Sequence, residues 1–564
     1  MVDTREKILR EKLWRAMEIF RRSKLYIHTK NMRFNTPQGT FELPEVIGLA
    51  VLNAIVGNGS MILYGGYGYG KTTFLKYLGR VLTGEPLDEI EASILRSNPQ
   101  LTEEKIVARL HLGKLISGGE EQIIWRRFIK TFWKIIDEIN RLSPGAQDVI
   151  LSLLGEGIAK YFDKVYQAPR YVLYATLNPR DVGTFPIGLP LLDRFGIAVI
   201  VESPPLDDVI DIACIPDEKF FKRVIPTVLS MDELVSIWGY VETMPLSEDA
   251  RLFVSVLVKE LSLCDRVNKE TGIFMSIGSK ICTGCHYEEL DTVCKIVYTP
   301  LSIRAQKDLI RYSKALAWLL GLNEVSLDVV VALAPYVLWH RLKFSEKHLE
   351  RKSYNRFELT KEIVNTVLRN FLQRLPLMKS YENIKRGIID PSMVTAIRNA
   401  VANDLVIKYD VAPFVDELLE ERYIAYAKQL LGAIEKRDRK AIKAIFRETE
   451  EKLSNRQYNA LRQVYENELN KRRKVIITSF GIWREKIESM SKLLKSDNLM
   501  ETLKPPKSMF LELDDGNVEI YTVDSKEESP VFLVTYTLWD EFIEKISEVL
   551  GVSNATHTNE EKDK

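Results

Sequence analysis

Residues 65–72 read Gly-Gly-Tyr-Gly-Tyr-Gly-Lys-Thr, which is the G-x-x-x-x-G-K-[ST] spacing of a phosphate-binding loop. The apolar run from Met61 to Tyr64 precedes this loop, and apolar residues at helical spacing follow it. Glycines let the backbone curl so that amide N–H groups point at phosphate oxygens, and the next helix adds the positive end of its dipole. We expect Lys71 to reach the outer phosphates and Thr72 to hold Mg²⁺. The predicted nucleotide-binding residues are Gly65, Gly66, Tyr67, Gly68, Tyr69, Gly70, Lys71, Thr72 and Thr73.

Polar residues near the ends of later apolar runs have the types that hydrolysis of a bound nucleotide needs. Asp137 and Glu138 directly follow the run 132–136. We expect Asp137 to complete the Mg²⁺ shell and Glu138 to polarise the attacking water. Asn178 ends a later strand pattern, where an amide can orient that water, and Arg194 stands shortly before the next one. Binding alone would need only the loop, so this pattern predicts turnover.

Four of the five cysteines crowd into one segment, which favours a metal site over disulfide bridges. Cys-x-x-Cys with an intervening glycine presents two thiolates to one ion, and two further sulfurs complete a tetrahedral zinc site. We predict structural Zn²⁺, with His286 in place of Cys264 as the main variant, and with an iron–sulfur cluster or unligated thiols as alternatives. Cys214 is predicted to be a core residue. The predicted zinc ligands are Cys264, Cys282, Cys285 and Cys294.

The composition is that of an ordinary globular protein with several domains: 564 residues, 46% hydrophobic and 28% charged. Lys and Arg number 79 and Asp and Glu number 78, so the net charge of +1 argues against a nucleic-acid coat or a membrane-surface protein. No uninterrupted apolar stretch approaches the ~18 residues of a membrane helix, and the charged N-terminus lacks the apolar core of a secretory signal. We therefore expect a cytoplasmic protein with no membrane association.

The apolar patterns divide the chain into predicted modules. Between residues 41 and 204, short apolar runs alternate with helical patterns, which predicts an α/β fold with a mostly parallel sheet covered on both faces. Helical spacing then continues to about Lys495, and beyond it we predict a hairpin over 509–521, a strand near Val531 and a helix from about Trp539. The predicted modules are an N-terminal helix (1–40), a nucleotide-binding core (41–204), a helical lid (205–345) with a cysteine-rich insert (264–300), a helical extension (346–504), a small α+β domain (505–550) and a disordered tail (551–564).

The order and wording of these motifs resemble those of AAA+ ATPases of the MoxR-like branch. The resemblance covers residues 41–345 and says little about the remainder of the chain. It implies a P-loop core followed by a helical lid, with ATP as substrate and Mg²⁺ as cofactor. The segments that carry it are Pro44-Glu-Val-Ile-Gly48, Asp137-Glu-Ile-Asn-Arg141, Ala175-Thr-Leu-Asn178-Pro179, Leu192-Asp193-Arg194-Phe195 and Ala334-Pro335 with His340-Arg341-Leu342.

The same resemblance implies roles for individual residues. Asn178 corresponds to the first sensor, and Arg194 looks like an arginine finger that is donated in trans to the nucleotide of the neighbouring subunit. Arg304 resembles the second sensor, although Ile303 stands where that family usually has proline. A finger acting in trans requires subunits that meet head to tail, and such an interface makes a ring when it closes. The resemblance therefore implies a homo-hexamer whose catalytic residues are Glu138, Asn178, Arg194 and Arg304.

Two insertions typical of that branch also have candidates. The stretch 86–128 is too long for a simple connection between strands, so we expect an extra element there. Residues 158–166 alternate in the manner of a hairpin. Near its tip, Lys160, Tyr161 and Lys164 are expected either to touch substrate in a central pore or to be ordinary exposed residues.

Three functions are compatible with these motifs. The leading hypothesis is a chaperone-like mechanoenzyme, in which ATP hydrolysis in a ring remodels, assembles or activates a protein client. The resemblance implies a von Willebrand factor A-domain protein as partner, which the C-terminal region would recruit. The alternative is a nucleic-acid motor related to the MCM branch, against which the near-zero net charge argues. A nucleotide-gated scaffold is the third hypothesis, against which the intact Glu138 and Arg194 argue.

Overall fold

The computed structural model describes residues 4–23, 27–36, 39–111, 122–179, 184–214, 225–261, 293, 296–299, 301–400 and 412–470, together with four C-terminal strands. The strands are β1 (Asn31–Thr36), β2 (Gly39–Pro44), β3 (Gly59–Tyr64), β4 (Leu95–Arg96), β5 (Ala108–Leu110), β6 (Ile123–Trp125), β7 (Trp133–Asp137), β8 (Ile158–Tyr161), β9 (Lys164–Gln167), β10 (Val172–Leu177), β11 (Ile197–Ile200), β12 (Lys474–Ser479), β13 (Ser508–Leu513), β14 (Gly516–Val523) and β15 (Val531–Tyr536).

Between Ile303 and Asn470 the described residues are mostly α-helical. None of the described helices is long and apolar enough to span a membrane. The helices are α1 (Thr4–Ser23), α2 (Glu45–Ala54), α3 (Lys71–Thr83), α4 (Leu87–Ala92), α5 (Glu103–Ile106), α6 (Arg127–Lys130), α7 (Pro144–Glu156), α8 (Leu189–Leu192), α9 (Leu206–Ala213), α10 (Met231–Thr243), α11 (Glu248–Glu260), α12 (Ile303–Leu320), α13 (Leu327–Leu338), α14 (Glu346–Arg351), α15 (Arg356–Lys385), α16 (Pro391–Ala400), α17 (Ala412–Leu418), α18 (Glu421–Glu435), α19 (Arg439–Lys452) and α20 (Asn455–Asn470).

A five-stranded parallel sheet in the order β11-β3-β10-β7-β4 forms the centre of the first half. Every residue of β10 is buried, as expected of a parallel sheet that is covered on both faces. In β3, Met61 and Leu63 belong to one apolar cluster and Ile62 to the other, because successive side chains of a strand point to opposite faces. The predicted α/β core is confirmed, as are the four predicted strands that correspond to β3, β7, β10 and β11.

The N-terminal segment packs on this core. The predicted N-terminal helix corresponds to α1, whose apolar face is buried and whose Phe20 meets Phe74 of α3 edge to face at 5.2 Å. The buried residues of this face are Leu9, Leu13, Ala16, Met17 and Phe20. An antiparallel hairpin, β1 with β2, follows α1 and leads into α2. The apolar pattern of the sequence did not predict this hairpin.

The lid helices α10 to α13 continue into a helical extension, which contains the short helix α14 and then the 30-residue helix α15. Helix α15 lies along α11, where the ring of Phe253 contacts that of Phe371 at 5.3 Å. Ion pairs join the same two helices on either side of this contact. They are Arg374 with Glu260 (2.5 Å), Lys379 with Asp249 (2.6 Å) and Arg251 with Glu382 (2.9 Å). Helix α15 of the extension is therefore fastened to the lid.

The C-terminal strands form an antiparallel sheet in the order β12-β15-β14-β13. The predicted hairpin is confirmed as β13 and β14, and the predicted strand near Val531 is β15. The prediction of helix up to about Lys495 was wrong, because Lys474–Ser479 forms β12, which pairs with β15. Val475, Ile476 and Ile477 favour a strand, but their partner is distant in sequence. The predicted helix from Trp539 and the predicted tail lie outside the described residues.

Cys214 is exposed, so its prediction as a core residue was wrong. It directly follows α9, in which Leu206 is 74% exposed and Ile210 is 53% exposed. Because this helix lies at the surface with part of its apolar face uncovered, a cysteine at its end has no core to enter.

Candidate active site

The phosphate-binding loop connects the end of β3 to the first residue of α3, as predicted. Gly68 and Gly70 adopt left-handed φ angles of 73° and 68°, which glycine accepts without steric cost. A β-carbon on Gly65 would lie 2.7 Å from the carbonyl oxygen of Val201. The loop therefore needs glycine both for its curvature and for its close packing against the neighbouring strand.

Lys71 points into this loop. Its Nζ donates hydrogen bonds to the carbonyl oxygens of Gly65 at 2.8 Å and Gly66 at 2.7 Å. Burial lowers the pKa of Lys71, while the charges of Asp137 and Glu138 oppose that shift. The ammonium group is thus partly desolvated, which strengthens its attraction to phosphate.

Three hydroxyl and carboxyl groups meet where β3, β7 and β10 end side by side. The hydroxyl of Thr72 donates to Asp137 Oδ1 at 2.5 Å, and the hydroxyl of Thr176 donates to the same oxygen at 2.8 Å. Hard oxygen ligands are those that Mg²⁺ prefers, so the convergence of Thr72 and Asp137 fits a magnesium site. Thr176 was not predicted from the sequence, although a threonine two residues before Asn178, at the end of a buried strand, was an available signal.

Glu138 follows Asp137 in a left-handed conformation with φ of 54°, which is uncommon for a residue other than glycine. Its N–H donates to the hydroxyl of Thr176 at 2.8 Å, and its carboxylate lies 3.1 Å from Nε of Arg141. Strained backbone of this kind clusters at functional sites. The turn thus places the carboxylate of Glu138 in an ion pair with Arg141.

Asn178 lies just beyond the end of β10 and is 3% exposed. Its carbonyl oxygen accepts a hydrogen bond from Nδ2 of Asn140 at 2.9 Å. Since β10 lies between β3 and β7, Asn178 is held between the loop and the two carboxylates. The fold thus brings the loop, Asp137, Glu138 and Asn178 to one edge of the sheet.

Arg194 and Arg304 lie elsewhere. Arg194 precedes β11 and Arg304 is in the first turn of α12, and both line a cavity of about 970 Å³ together with Gly57 and Asn58. Gly57 and Asn58 precede β3, whereas the phosphate loop follows it, so the two sites are separated by a strand of roughly 20 Å. The fold therefore places the two arginines in the same cavity, away from the phosphate loop of their own chain.

The guanidinium group of Arg194 is partly desolvated and has charges of both signs around it, from Arg304, Glu156 and Asp193. Burial lowers the pKa of Arg194, and the charge of Arg304 lowers it further. Among the described residues, Nη1 of Arg194 is buried without a hydrogen-bond partner. A group in this state favours an incoming anion.

A second cavity, of about 520 Å³, lies at the loop edge of the sheet between β1, α13 and α15, next to Glu202. Glu45 lines it and accepts a hydrogen bond from the hydroxyl of Tyr336 at 2.6 Å. Burial is the largest cause of the raised pKa of Glu45. The cavity combines apolar walls from α13 with polar and charged residues that make up almost half of its lining, which suits a ligand of mixed character.

The predicted hairpin before β10 consists of β8 and β9. Tyr161 was expected near the exposed tip, but it is only 5% exposed and its hydroxyl donates to Glu104 at 3.2 Å. Phe162, with a left-handed φ of 48°, is 70% exposed at the tip. Lys160 and Lys164 are exposed as expected. The aromatic group available for contact is thus Phe162.

The predicted zinc ligands Cys264, Cys282, Cys285 and Cys294, and the variant ligand His286, lie outside the described residues. Within the described part of the chain, no group of three or more His, Cys, Asp or Glu residues could hold a metal ion. The zinc site therefore stays a prediction from sequence.

Comparison with known proteins gives matches over the same segments. Residues 60–195 match the family described as "AAA domain (dynein-related subfamily)", and residues 295–365 match the family described as "AAA lid domain". Protein MoxR of Paracoccus denitrificans is 23% identical over 318 residues, which are 55% of this chain and 86% of that protein. The uncharacterised protein YeaC of Bacillus subtilis (strain 168) is 23% identical over 128 residues, which are 22% of this chain and 40% of that protein.

A solved structure of a candidate ATPase from Cytophaga hutchinsonii superposes with a TM-score of 0.47 at 16% identity, covering 65% of this chain and 96% of that one. The two family matches contain the phosphate loop, both carboxylates, Asn178, Arg194 and Arg304. Residues beyond 365 fall outside both of these matches.

Proposed function

We propose, from the premise that this chain is a MoxR-like AAA+ ATPase, that it hydrolyses ATP in a ring of identical subunits and thereby remodels, assembles or activates a protein client. The observation that supports a ring is the location of Arg194 and Arg304 in one cavity, at the end of the sheet opposite the phosphate loop. Within a single chain these arginines cannot serve the loop, so they are available to a neighbour.

Within one subunit, the proposed roles follow the geometry at the loop edge. The loop amides and Lys71 hold the phosphates, and the nucleoside is proposed to occupy the 520 Å³ cavity. Mg²⁺ held by Thr72 and Asp137 would neutralise charge on the phosphates. Glu138 accepts a proton from the attacking water while the water oxygen bonds to the γ-phosphorus and the bond to the ADP oxygen breaks. Asn178 orients that water.

Between subunits, Arg194 and Arg304 approach the γ-phosphate of the neighbouring chain and stabilise the charge that develops during transfer. An arginine finger is worth roughly 10³ to 10⁵ in rate. Each subunit would provide arginines from one face and receive them at a different face. Such an interface is heterologous, and it closes into a ring when the rotation between subunits allows. We propose that the ring is a hexamer, as the family resemblance implies.

The client contact is proposed at the tip of the hairpin formed by β8 and β9. Phe162 offers an exposed aromatic ring between Lys160 and Lys164. Aromatic rings are enriched at protein interfaces because they bury a large area at a small cost in conformational entropy. The helical extension, which is fastened to the lid by ion pairs, is proposed to recruit a partner such as a von Willebrand factor A-domain protein.

The experiment that tests this function uses the Glu138→Gln variant, which is expected to bind ATP without hydrolysing it. Light scattering of this variant with ATP should give the mass of a ring, and a monomer under these conditions would overturn the proposal. Affinity capture should then retain a protein with ATP, and Lys71→Ala, which cannot hold the phosphates, is the matched control. Nucleic acid that stays bound at high salt would instead establish the motor hypothesis.

A further inference from the structure

Arg194 and Arg304 carry like charges and line one cavity, although they come from distant parts of the chain. Their mutual repulsion is reflected in the lowered pKa of Arg194, to which the charge of Arg304 contributes after burial. Repulsion of this kind drives two flexible side chains apart unless a negative group lies between them. A carboxylate near both arginines therefore keeps them close together before an anion binds.

Asp193 is that carboxylate. It directly precedes Arg194, and its Oδ2 lies 3.8 Å from Nη1 of Arg304. Its Oδ1 accepts a hydrogen bond of 2.7 Å from the hydroxyl of Ser302. Ser302 caps α12, because its Oγ also accepts the N–H of Ala305 at 3.1 Å. One side chain thus joins the loop that carries Arg194 to the helix turn that carries Arg304.

The backbone around Arg194 is fixed on its other side. The carbonyl oxygen of Phe195 accepts hydrogen bonds from Nη2 of Arg341 at 2.6 Å and from Nε2 of His340 at 2.9 Å. The hydroxyl of Ser60 donates to the carbonyl oxygen of Arg194 at 3.2 Å. Burial lowers the pKa of His340 to about 3, so the ring is neutral and its Nε2 carries the proton. The loop is therefore rigid, and Asp193 is its link to Arg304.

We propose that Asp193 is a positioning residue for hydrolysis in the neighbouring subunit. It takes no direct part in the reaction: it holds the Arg194 loop and Arg304 at a fixed separation so that both guanidinium groups reach the same phosphate. This inference rests on the proposed function, because it requires that Arg194 and Arg304 act in trans. Loss of Asp193 should therefore lower ATP hydrolysis at the site of the neighbouring subunit and not at the site of its own subunit.

The test uses carrier subunits that are inactive at their own site through Glu138→Gln and are mixed in excess with wild-type subunits. All turnover then comes from wild-type sites, most of which face a carrier. Adding Asp193→Asn to the carriers, which keeps the acceptor for Ser302 but removes the charge, should lower the turnover number of the wild-type sites about tenfold, since small misplacements of catalytic groups cost up to about 10²-fold. The KM for ATP should stay unchanged.

Matched variants separate positioning from folding. Asp249→Asn removes another lid carboxylate, one paired with Lys379 at 2.6 Å and remote from the cavity, and in carriers it should leave turnover unchanged. Ser302→Ala in carriers keeps the charge but loosens the link, so it should give a smaller decrease than Asp193→Asn. Light scattering of each carrier confirms assembly, and the Ser302→Ala result decides the proposal if Asp193→Asn carriers do not assemble.

Arg194→Ala in carriers distinguishes the two possible failures. If it lowers turnover while neither Asp193→Asn nor Ser302→Ala does, the positioning role is overturned and the shared site survives. If it too leaves the wild-type sites unaffected, the arginine does not act in trans and the proposed ring mechanism fails.

Discussion

Nη1 of Arg194 occupies the space that a β-carbon on Gly155 would need. Gly155 is in α7, one residue before its C-terminus, and the absence of a side chain there lets the guanidinium group lie against the helix backbone. The direction of Arg194 into the cavity thus depends on a glycine more than thirty residues away in sequence. The consequence can be tested at both positions.

Gly155→Ala should displace Arg194 and lower the turnover number by about 10 to 10²-fold, the cost of misplacing a catalytic group. Binding of ATP should change little, because the phosphate loop lies at the other end of the sheet. Gly145→Ala is the matched control: it is in the same helix, and a β-carbon there meets nothing within 4 Å. Steady-state ATPase assays of both variants check this. Equal activities would show that Arg194 is not needed in its observed position.

Thr176→Val should impair hydrolysis, although sequence analysis did not select this residue. Its hydroxyl accepts the N–H of Glu138 and donates to Asp137, so valine leaves that N–H unpaired at a cost of about 1 to 3 kcal/mol. We expect a lower turnover number in steady-state ATPase assays. Thr176→Ser keeps the hydroxyl and should retain most activity, whereas equal losses in both variants would contradict this role.

The fold was predictable where a signal is local. The loop and the strands β3, β7 and β10 are short apolar runs that end in the residues that do the chemistry, so spacing alone was sufficient. Tyr161 was misjudged because neighbouring residues of a strand face opposite sides: Ala159 and Tyr161 are buried while Lys160 is exposed. The order of residues at a hairpin tip does not say which face meets the core.

Contacts between distant segments were not predictable. Strand β12 forms because β15, more than fifty residues later, supplies its hydrogen bonds. Ser302 and Asp193 meet only because α12 packs beside the loop before β11. Nothing in the local sequence of either residue indicates the other. Resemblance to a family assigns roles to Arg194 and Arg304, but the geometry that joins them becomes visible only in the folded chain.

Lys134→Met should lower the free energy of unfolding more than the same substitution at a surface lysine. Nζ of Lys134 is fully buried and donates to the carbonyl oxygens of Phe128, Ile129 and Thr131 at 2.6, 2.8 and 2.6 Å. Methionine fills similar volume but leaves these acceptors unpaired, so the free energy of unfolding should fall by about 3 kcal/mol. Chemical denaturation measures this against Lys130→Met, which removes an exposed lysine from α6. Similar stabilities would mean that the carbonyls find other donors.

The cysteine cluster should bind one zinc ion per chain. Elemental analysis of protein purified without chelator is expected to find zinc, and Cys282→Ser together with Cys285→Ser should abolish it, because both thiolates of the turn are then lost. Cys214→Ser, which changes an exposed cysteine, should leave the zinc content unchanged. Iron with acid-labile sulfide would support the cluster alternative. A metal-free protein would remove the prediction.

Subunits that are each inactive should restore activity to one another. Lys71→Ala removes the cation that holds the phosphates at a subunit's own site, and Arg194→Ala removes the group that it offers to its neighbour. Neither variant should hydrolyse ATP alone. In a mixed ring, an intact loop on an Arg194→Ala subunit can face an intact Arg194 on a Lys71→Ala subunit, so turnover should reappear at a substantial fraction of the wild-type rate. Mixing Lys71→Ala with Glu138→Gln is the control, because both changes damage the same site and no complete site can form. Recovery in the first mixture alone would require a site built from two chains, whereas no recovery despite mixed assembly would assign every catalytic group to one chain.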